Sequence, residues 1–261
     1  MNKISIIIPV LNEENFIGKL LEHILANSST KNISEIIVVD GYSIDNTKTI
    51  VQDFSNFTNT ANKKAFNYID NSVLENPSNL NLKTKTPIHI LDSKKGRAKQ
   101  MNLGAKSAKG NILYFLHADS FPPKDFDQLI INEIKNGNEA GCFRMQFDSN
   151  HWWLKISSWL TQFRWRACRG GDQSQFISKR LFNNIGGFDE NYTIYEDNIL
   201  INELYARSQF VVINKKLKSS ARMYSKHGVF RLQYLYWTIY LKKRLGADAN
   251  TLYNYYKKNI S

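Results

Sequence analysis

Cysteine is nearly absent: 261 residues contain two, Cys142 and Cys168, 26 positions apart. Such a pair has neither the spacing of a zinc site nor the density of a disulfide scaffold, so a reducing, cytoplasmic setting is expected. Long hydrophobic runs are missing as well. The apolar stretch from Ile4 to Val10 covers seven residues, too few to cross a bilayer, and it lacks the organisation of a signal peptide. Glycine is absent between Pro9 and Glu14, which disfavours the Gly-rich phosphate loop of a nucleotidyltransferase on a related α/β fold. Acid is scarce at the end of the chain. From residue 211 to 261 eleven Lys and Arg face one carboxylate, Asp248, so +10 of the net +12 sits there and +2 on the first 210 residues.

What is present describes an ordinary soluble globular protein, with 42% hydrophobic and 22% charged residues. Ile4 to Val10 is β-branched and almost continuously apolar, as a strand buried on both faces should be. Phe16, Ile17, Leu20, Leu21, Ile24 and Leu25 recur at helical spacing, and Glu35 to Asp40 reads as a second buried strand. Asp45 to Thr47 can cap another helix. Ile88 to Leu91 and Ile112 to Leu116 are further strands, with a helix from Arg97 between them. The expected fold is therefore α/β, a mostly parallel central sheet flanked by helices, with ligands at the carboxyl ends of its strands. Residues 1–210 form the expected catalytic domain. Within it, residues 55–86, rich in Asn, Ser, Thr and Lys, are a variable insertion, partly helical near Phe66 to Ile69. Residues 211–261 form a basic, aromatic C-terminal extension.

Several polar residues fall where chemistry is expected. His117 and Asp119 follow a buried strand and project to the same side. A hard divalent cation bridging phosphates needs one or two protein carboxylates, which Asp119 supplies; His117 could join it, tilting the choice from Mg²⁺ toward Mn²⁺. The competing role for Asp119 is a turn cap before Pro122 and Pro123. Asp40 can accept a hydrogen bond from a base or ribose, or merely cap a turn. Arg97 opens a helix after Gly96 and can meet a diphosphate. Glu196 and Asp197 can act as general base, or serve as an acidic pair favoured at a helix N-terminus. Asp172, in Gly170-Gly171-Asp172-Gln173, can meet a hydroxyl. His227 could reach the metal from the C-terminal side. Trp152, Trp153, Trp159 and Trp165 could stack on sugar or lipid, although burial in the core is the commoner fate.

Taken in order, these motifs resemble family 2 glycosyltransferases. The resemblance rests on Pro9, Asn12, Glu13 and Glu14; on Asp40, Gly41, Ser43, Asp45 and Thr47; on Arg97, Asn102, Gly110, Phe115, Leu116, Ala118 and Asp119; and on Gly186 to Glu190 with Glu196-Asp197. It spans about residues 4–205. The runs around Arg97, His117 and Asp172 are similar to a bacterial subgroup called radical-SAM/selenodomain-associated transferase 2. The resemblance implies a GT-A (Rossmann-like) fold and a nucleoside diphosphate sugar, UDP- or GDP-linked, as donor. It places Pro9, Asn12, Glu13, Asp40, Arg97, Asn102, His117 and Asp119 at the donor nucleotide. Mg²⁺ or Mn²⁺ would be held by Asp119 with His117 and His227. The sugar would pass with inversion in one displacement, Asp197 as base, with Glu196 and Asp172 beside it. His117 departs from the family, which usually has Asp at that position of its Asp-x-Asp metal motif.

The basic tail admits two further readings. A nucleic-acid-binding module would use its cations and aromatics, but would leave Asp40, Asp119 and Asp197 unexplained, so no nucleic acid is expected. Alternatively Phe230, Tyr234, Trp237, Leu241 and Leu245 form one side of an amphipathic helix. That side could rest peripherally on the inner face of the membrane, near a lipid-linked acceptor. It could equally pack on the catalytic body or in a homodimer.

Overall fold

The computed structural model describes residues 2–59 and 86–260; the helix expected near Phe66 lies outside them. The elements in order are β1 (Ile4–Val10), α1 (Ile17–Asn27), β2 (Ile33–Asp40), α2 (Thr47–Asn59), β3 (Ile88–Asp92), α3 (Arg97–Ser107), β4 (Ile112–Phe115) and β5 (Ser120–Phe121). There follow α4 (Phe126–Lys135), β6 (Ala140–Asp148), α5 (Trp152–Leu160), two 3₁₀ turns (Arg166–Cys168, Gly171–Gln173), β7 (Gln175–Ser178), α6 (Lys179–Ile185) and α7 (Glu196–Ala206). β8 (Val211–Ser220), α8 (Arg222–His227), α9 (Val229–Arg244) and α10 (Ala249–Asn259) close the chain.

The described strands form one sheet in the order β3-β2-β1-β4-β7-β6-β8-β5. It is parallel across β3, β2, β1 and β4, as the sequence leads one to expect, and mixed beyond, where β7 runs antiparallel to both β4 and β6 and β8 runs parallel to β6. The chain first builds outward from β1 to β3 and then returns to the opposite edge of β1. That reversal opens a crevice at the carboxyl ends of β1 and β4, the position where open α/β sheets bind ligands. Two expected boundaries shift. α2 continues to Asn59, into the region read as an insertion, because Phe54 is fully buried. β8 pairs with β6 in the central sheet, so the first ten of residues 211–261 belong to the sheet and the C-terminal helices follow Ser220.

β1 shows how alternation divides the core. Ile4, Ile6, Ile8 and Val10 face the layer of α1, α2 and α4, whereas Ile7 joins Ile37, Val39 and the layer of α3, α6 and α7. Each such buried side chain contributes about 1.5–3 kcal/mol. Ser5 interrupts the apolar run and is satisfied: it donates to Glu35 Oε1 at 2.6 Å and accepts from the Gly110 N–H at 2.8 Å. A Cβ at Gly110 would lie 2.6 Å from the Lys3 carbonyl, so this glycine sets the approach of β4 to β1.

The tryptophans correct an expectation, since Trp152, Trp159 and Trp165 are each more than half exposed instead of buried. The order of layers leaves them on the outside of α5 and the loop after it.

α3 carries Arg97, and its distance from the sheet is set by Gly104, where a Cβ would lie 2.5 Å from Ile7 Cγ2 and 3.2 Å from Val39 Cγ2. Both neighbours are β-branched and stiff. Gly104→Ala is expected to lower unfolding free energy by about 1–3 kcal/mol in urea titration. Lys106→Ala, on the exposed side of the same helix, is expected to stay within about 0.5 kcal/mol.

Candidate functional site

The loop after β1 is laced to the loop after β2. Asn12, at a φ of 55°, donates its N–H to Ser43 Oγ and accepts from the Ile44 N–H, both at 2.9 Å. The Glu13 N–H donates to Thr47 Oγ1 at 2.8 Å and the Glu14 N–H to Asp45 Oδ2 at 3.1 Å. Asn12 is thus occupied in shaping the crevice. Pro9, partly buried in β1, pairs with Val39 beside it. Asp40 is fully buried; Oδ2 accepts from the Ser43 N–H at 3.0 Å, while Oδ1 has no hydrogen-bond partner among the described residues. An unpaired acceptor at a strand end is costly unless something else completes it.

β4 delivers His117 and Asp119 to the crevice. The Ser220 N–H donates to the Asp119 carbonyl at 3.1 Å and β5 pairs with β8, so this segment is tied to the end of the sheet. That tie brings Arg222 onto the site. Its Nε lies 3.1 Å from Asp119 Oδ2, Nη1 and Nη2 donate to Glu13 at 2.8 and 2.6 Å, and the guanidinium lies 4.7 Å from the centre of the Phe16 ring. Burial raises the Asp119 pKa to about 6; Arg222 opposes the rise, and Asp172 and Glu13 add to it. Burial, with Arg97 and Arg222, depresses His117 to about 3. Its ring is therefore neutral, and the 3.9 Å approach of Nδ1 to Asp172 Oδ1 is not an ion pair. A neutral imidazole is the form that can ligate a metal.

The remaining polar groups come from α3, α7 and the second 3₁₀ turn. Arg97 Nη1 lies 3.4 Å from both Glu196 Oε1 and Asp197 Oδ2. Burial works against the charge on Arg97, and Glu196 and Asp197 overcome it, so the guanidinium stays protonated. Glu196 and Asp197 occupy the first turn of α7, where the helix dipole favours negative charge. Burial nevertheless raises both carboxyl pKa values, with Arg97 opposing. Asp172 is raised by burial too, then lowered by Arg97 and raised by Asp197. Its side chain is 58% exposed, which describes a group in a protein-walled cleft that is open to solvent. The glycine before Asp172 has a steric reason: a Cβ at Gly171 would overlap the Asp197 carboxylate.

Asn102 and His227 are two further residues expected at the donor or the metal. Asn102 donates to the Phe188 carbonyl and Glu190 Oε1, both at 2.9 Å, and accepts from the Phe188 N–H at 3.0 Å. Its amide clamps the Gly-Gly-Phe-Asp-Glu turn to α3. His227 ends α8, and its buried Nε2 lacks a hydrogen-bond partner among the described residues. No three His, Cys, Asp or Glu side chains gather into a metal site among the described residues; Asp119 with neutral His117 remains the donor set suited to a hard cation that keeps phosphate and water ligands.

Sequence reasoning missed Arg222 and three tyrosines, on α8 and α9, whose phenols feel the Asp172 charge. Burial raises the phenol pKa values of Tyr224, Tyr236 and Tyr240, and the Asp172 charge adds to each rise. Arg222 is 209 residues from Glu13, so no local pattern could have announced it. The buried Arg169 was missed as well; it donates to Gln173 Oε1 at 2.7 Å and to the Thr161 and Phe163 carbonyls at 2.6 Å, anchoring the turn that carries Asp172.

Comparison with known proteins supplies the family. A Bacillus subtilis (strain 168) protein described as probable glycosyltransferase YdaM is 26% identical over 222 residues, which is 78% of this chain and 46% of that protein. A Methanococcus voltae protein, dolichyl N-acetyl-alpha-D-glucosaminyl phosphate 3-beta-D-2,3-diacetamido-2,3-dideoxy-beta-D-glucuronosyltransferase, is 29% identical over 126 residues, 48% of this chain and 32% of that one. This chain thus spans less than half the length of either relative. Among solved structures, mannosyltransferase PcManGT from Pyrobaculum calidifontis, in complex with GDP-Man and Mn²⁺, superposes with a TM-score of 0.66 at 14% identity, covering 97% of this chain and 67% of that one. S. aureus TarS 1-349 in complex with UDP gives 0.62 at 17% identity, covering 84% and 60%. These two show the fold. The model of glycosyl transferase family 2 matches residues 5–190, most of the chain, and the protein therefore belongs to that family of enzymes.

Proposed function

We propose that the protein moves a sugar from a nucleoside diphosphate sugar, UDP- or GDP-linked, to an acceptor hydroxyl, with inversion and with help from a divalent cation. The observation that carries this reading is the meeting of Asp119 and His117 with Arg97, Glu196, Asp197 and Asp172 at the carboxyl ends of the strands. The unpaired Oδ1 of Asp40 suits an N–H or O–H of the nucleoside. Asp119 and the neutral His117 are the residues that would hold Mg²⁺ or Mn²⁺, with the unpartnered Nε2 of His227 as a further nitrogen. Such a cation, when bound, would neutralise charge on the departing diphosphate. The solved relatives support the donor class, since they carry UDP and GDP-Man.

In the reaction Asp197 takes the proton of the acceptor hydroxyl, and the freed oxygen pair attacks the anomeric carbon as its bond to the diphosphate breaks. Arg97, shared between Glu196 and Asp197, can turn a donor toward the leaving phosphate and stabilise its charge. One displacement inverts the anomeric centre and leaves no enzyme-bound sugar. Asp172 lies across from His117 and suits a hydroxyl of donor or acceptor. The acceptor in this reading is lipid-linked, as the dolichyl-phosphate name of the Methanococcus voltae relative suggests. Membership of the radical-SAM/selenodomain-associated subgroup rests on the runs around Arg97, His117 and Asp172.

The direct test is a thermal-shift screen of UDP- and GDP-sugars with and without Mn²⁺. Stabilisation by one donor, strengthened by Mn²⁺ and removed by Asp119→Ala, is the expected result. A screen in which no donor raises the melting temperature overturns the reading. Asp197→Asn is expected to lower kcat by about 10²–10⁴-fold while leaving donor affinity nearly unchanged, as read by steady-state kinetics and calorimetry. The pH dependence follows from the upward shifts at Glu196 and Asp197. A base with a raised pKa loses its ionised form at a higher pH, so the acid limb of kcat is expected above the ordinary carboxylate range of about 4.

A further inference from the structure

α9 is apolar on more than one side, and only one side is buried. Leu232, Leu235 and Ile239 are buried and pack with Leu252 and Ile260. On the other side Phe230, Tyr234, Trp237, Leu241 and Leu245 are between 55% and 78% exposed. Their spacing of three and four residues puts them on one stripe. The helix does pack on the body, but through the opposite side from the one the sequence pattern singles out. The stripe continues onto α5: ring centres are 6.0 Å apart for Trp152 and Phe230 and 6.3 Å apart for Trp153 and Trp237. Ile156 and Trp159 extend it along the exposed side of α5.

Exposed cations lie beside this face on the same two helices: Lys155 on α5, and Arg231 and Arg244 on α9. A cavity of about 650 Å³ opens beside α5, lined among others by Arg144, Lys155, Lys216, Asp148 and Trp159. The buried Nε of Arg144 has no hydrogen-bond partner among the described residues. Three cations against one carboxylate suit a phosphate.

We propose that α5 and α9 form a docking face for an anionic lipid bilayer, with the aromatic stripe at the level of the glycerol backbone and the Lys and Arg side chains on lipid phosphates. Trp and Tyr, with an apolar ring and a polar tip, are suited to that depth, and basic residues gain from the negative surface potential. Among the described residues no helix is long and apolar enough to cross a membrane, so the contact lies along the interface. A second copy of the chain is the poorer occupant. A two-fold interface would set the same patch against itself, and from residue 211 onward Asp248 is the single acid among eleven cations. No residue of this face is among those assigned to the donor, so docking does not depend on the donor chemistry.

The test is flotation of the full-length protein with vesicles of phosphatidylcholine alone and of equal parts phosphatidylcholine and phosphatidylglycerol. Flotation with the mixed vesicles at low salt, lost at high salt, is expected. Arg231→Glu, Arg244→Glu and Lys155→Glu should each weaken partitioning by roughly five-fold or more. The triple variant Trp152→Ser, Phe230→Ser and Trp237→Ser should weaken it on the order of ten-fold or more. All six side chains are exposed, and unchanged melting temperatures would show that each variant folds. Failure of the native protein to float at low salt overturns the proposal. So does equal binding to neutral vesicles, or binding that neither set of substitutions reduces. Sedimentation that finds a dimer dissolved by the aromatic substitutions, without flotation, would assign the face to a second copy.

Discussion

Two guanidinium groups hold together the carboxylates of the cleft. Arg97 is shared by Glu196 and Asp197, and Arg222 by Glu13 and Asp119, while Asp172 lies close enough to feel Arg97 and Asp197. Burial raises the pKa values of Asp119, Glu196 and Asp197 against the pull of the arginines, and neighbouring acids add to the rise at Asp119 and Glu196. The cluster has more acids than guanidiniums. That imbalance suits a divalent cation, and the two arginines are placed where a diphosphate could draw them from their carboxylate partners.

The backbone serves the same arrangement. Gly171 leaves the space that the Asp197 carboxylate fills, Gly104 lets α3 approach the sheet, and Gly110 sets β4 against β1. At Gly41 a Cβ would lie 3.1 Å from the Gln100 amide nitrogen, and that amide donates to both the Val10 and Val39 carbonyls at 2.8 Å. Gln100 therefore holds the ends of β1 and β2 together where the nucleoside would lie. Several motif residues thus act through geometry: Asn12, Asp45 and Thr47 lace two loops, and Asn102 clamps a turn, so that the few side chains left for chemistry point into one crevice.

The C-terminal helices do two jobs with one element. Their buried side packs Leu232, Leu235 and Ile239 against Leu252 and Ile260, and their exposed side carries the aromatic stripe continued by α5. A stripe of that kind is normally buried against another element. Here the helix already has its intramolecular partner on the opposite side, which makes the second apolar side a question of association and not of folding.

Much of the plan was legible in order and periodicity. The run from Ile4 to Val10, the strand ending at Asp40 and the one leading to His117 are continuous apolar segments, and a segment buried on both faces has to be a central strand. Asp119, Arg97 and Asp197 could be named because each follows directly from the end of a strand or the start of a helix, which is local information. What tertiary structure alone decided is pairing across distance. Arg222 meets Asp119 because β8 runs beside β5, Asn102 is drawn to Phe188 because α3 lies against that turn, and the mixed half of the sheet arises from how β6, β7 and β8 pair. Composition and spacing specify which side of a helix is apolar, but not which of two apolar sides finds a partner. That depends on the neighbours' shapes, and so the exposure of Trp152, Phe230 and Trp237 could be read only from the folded chain.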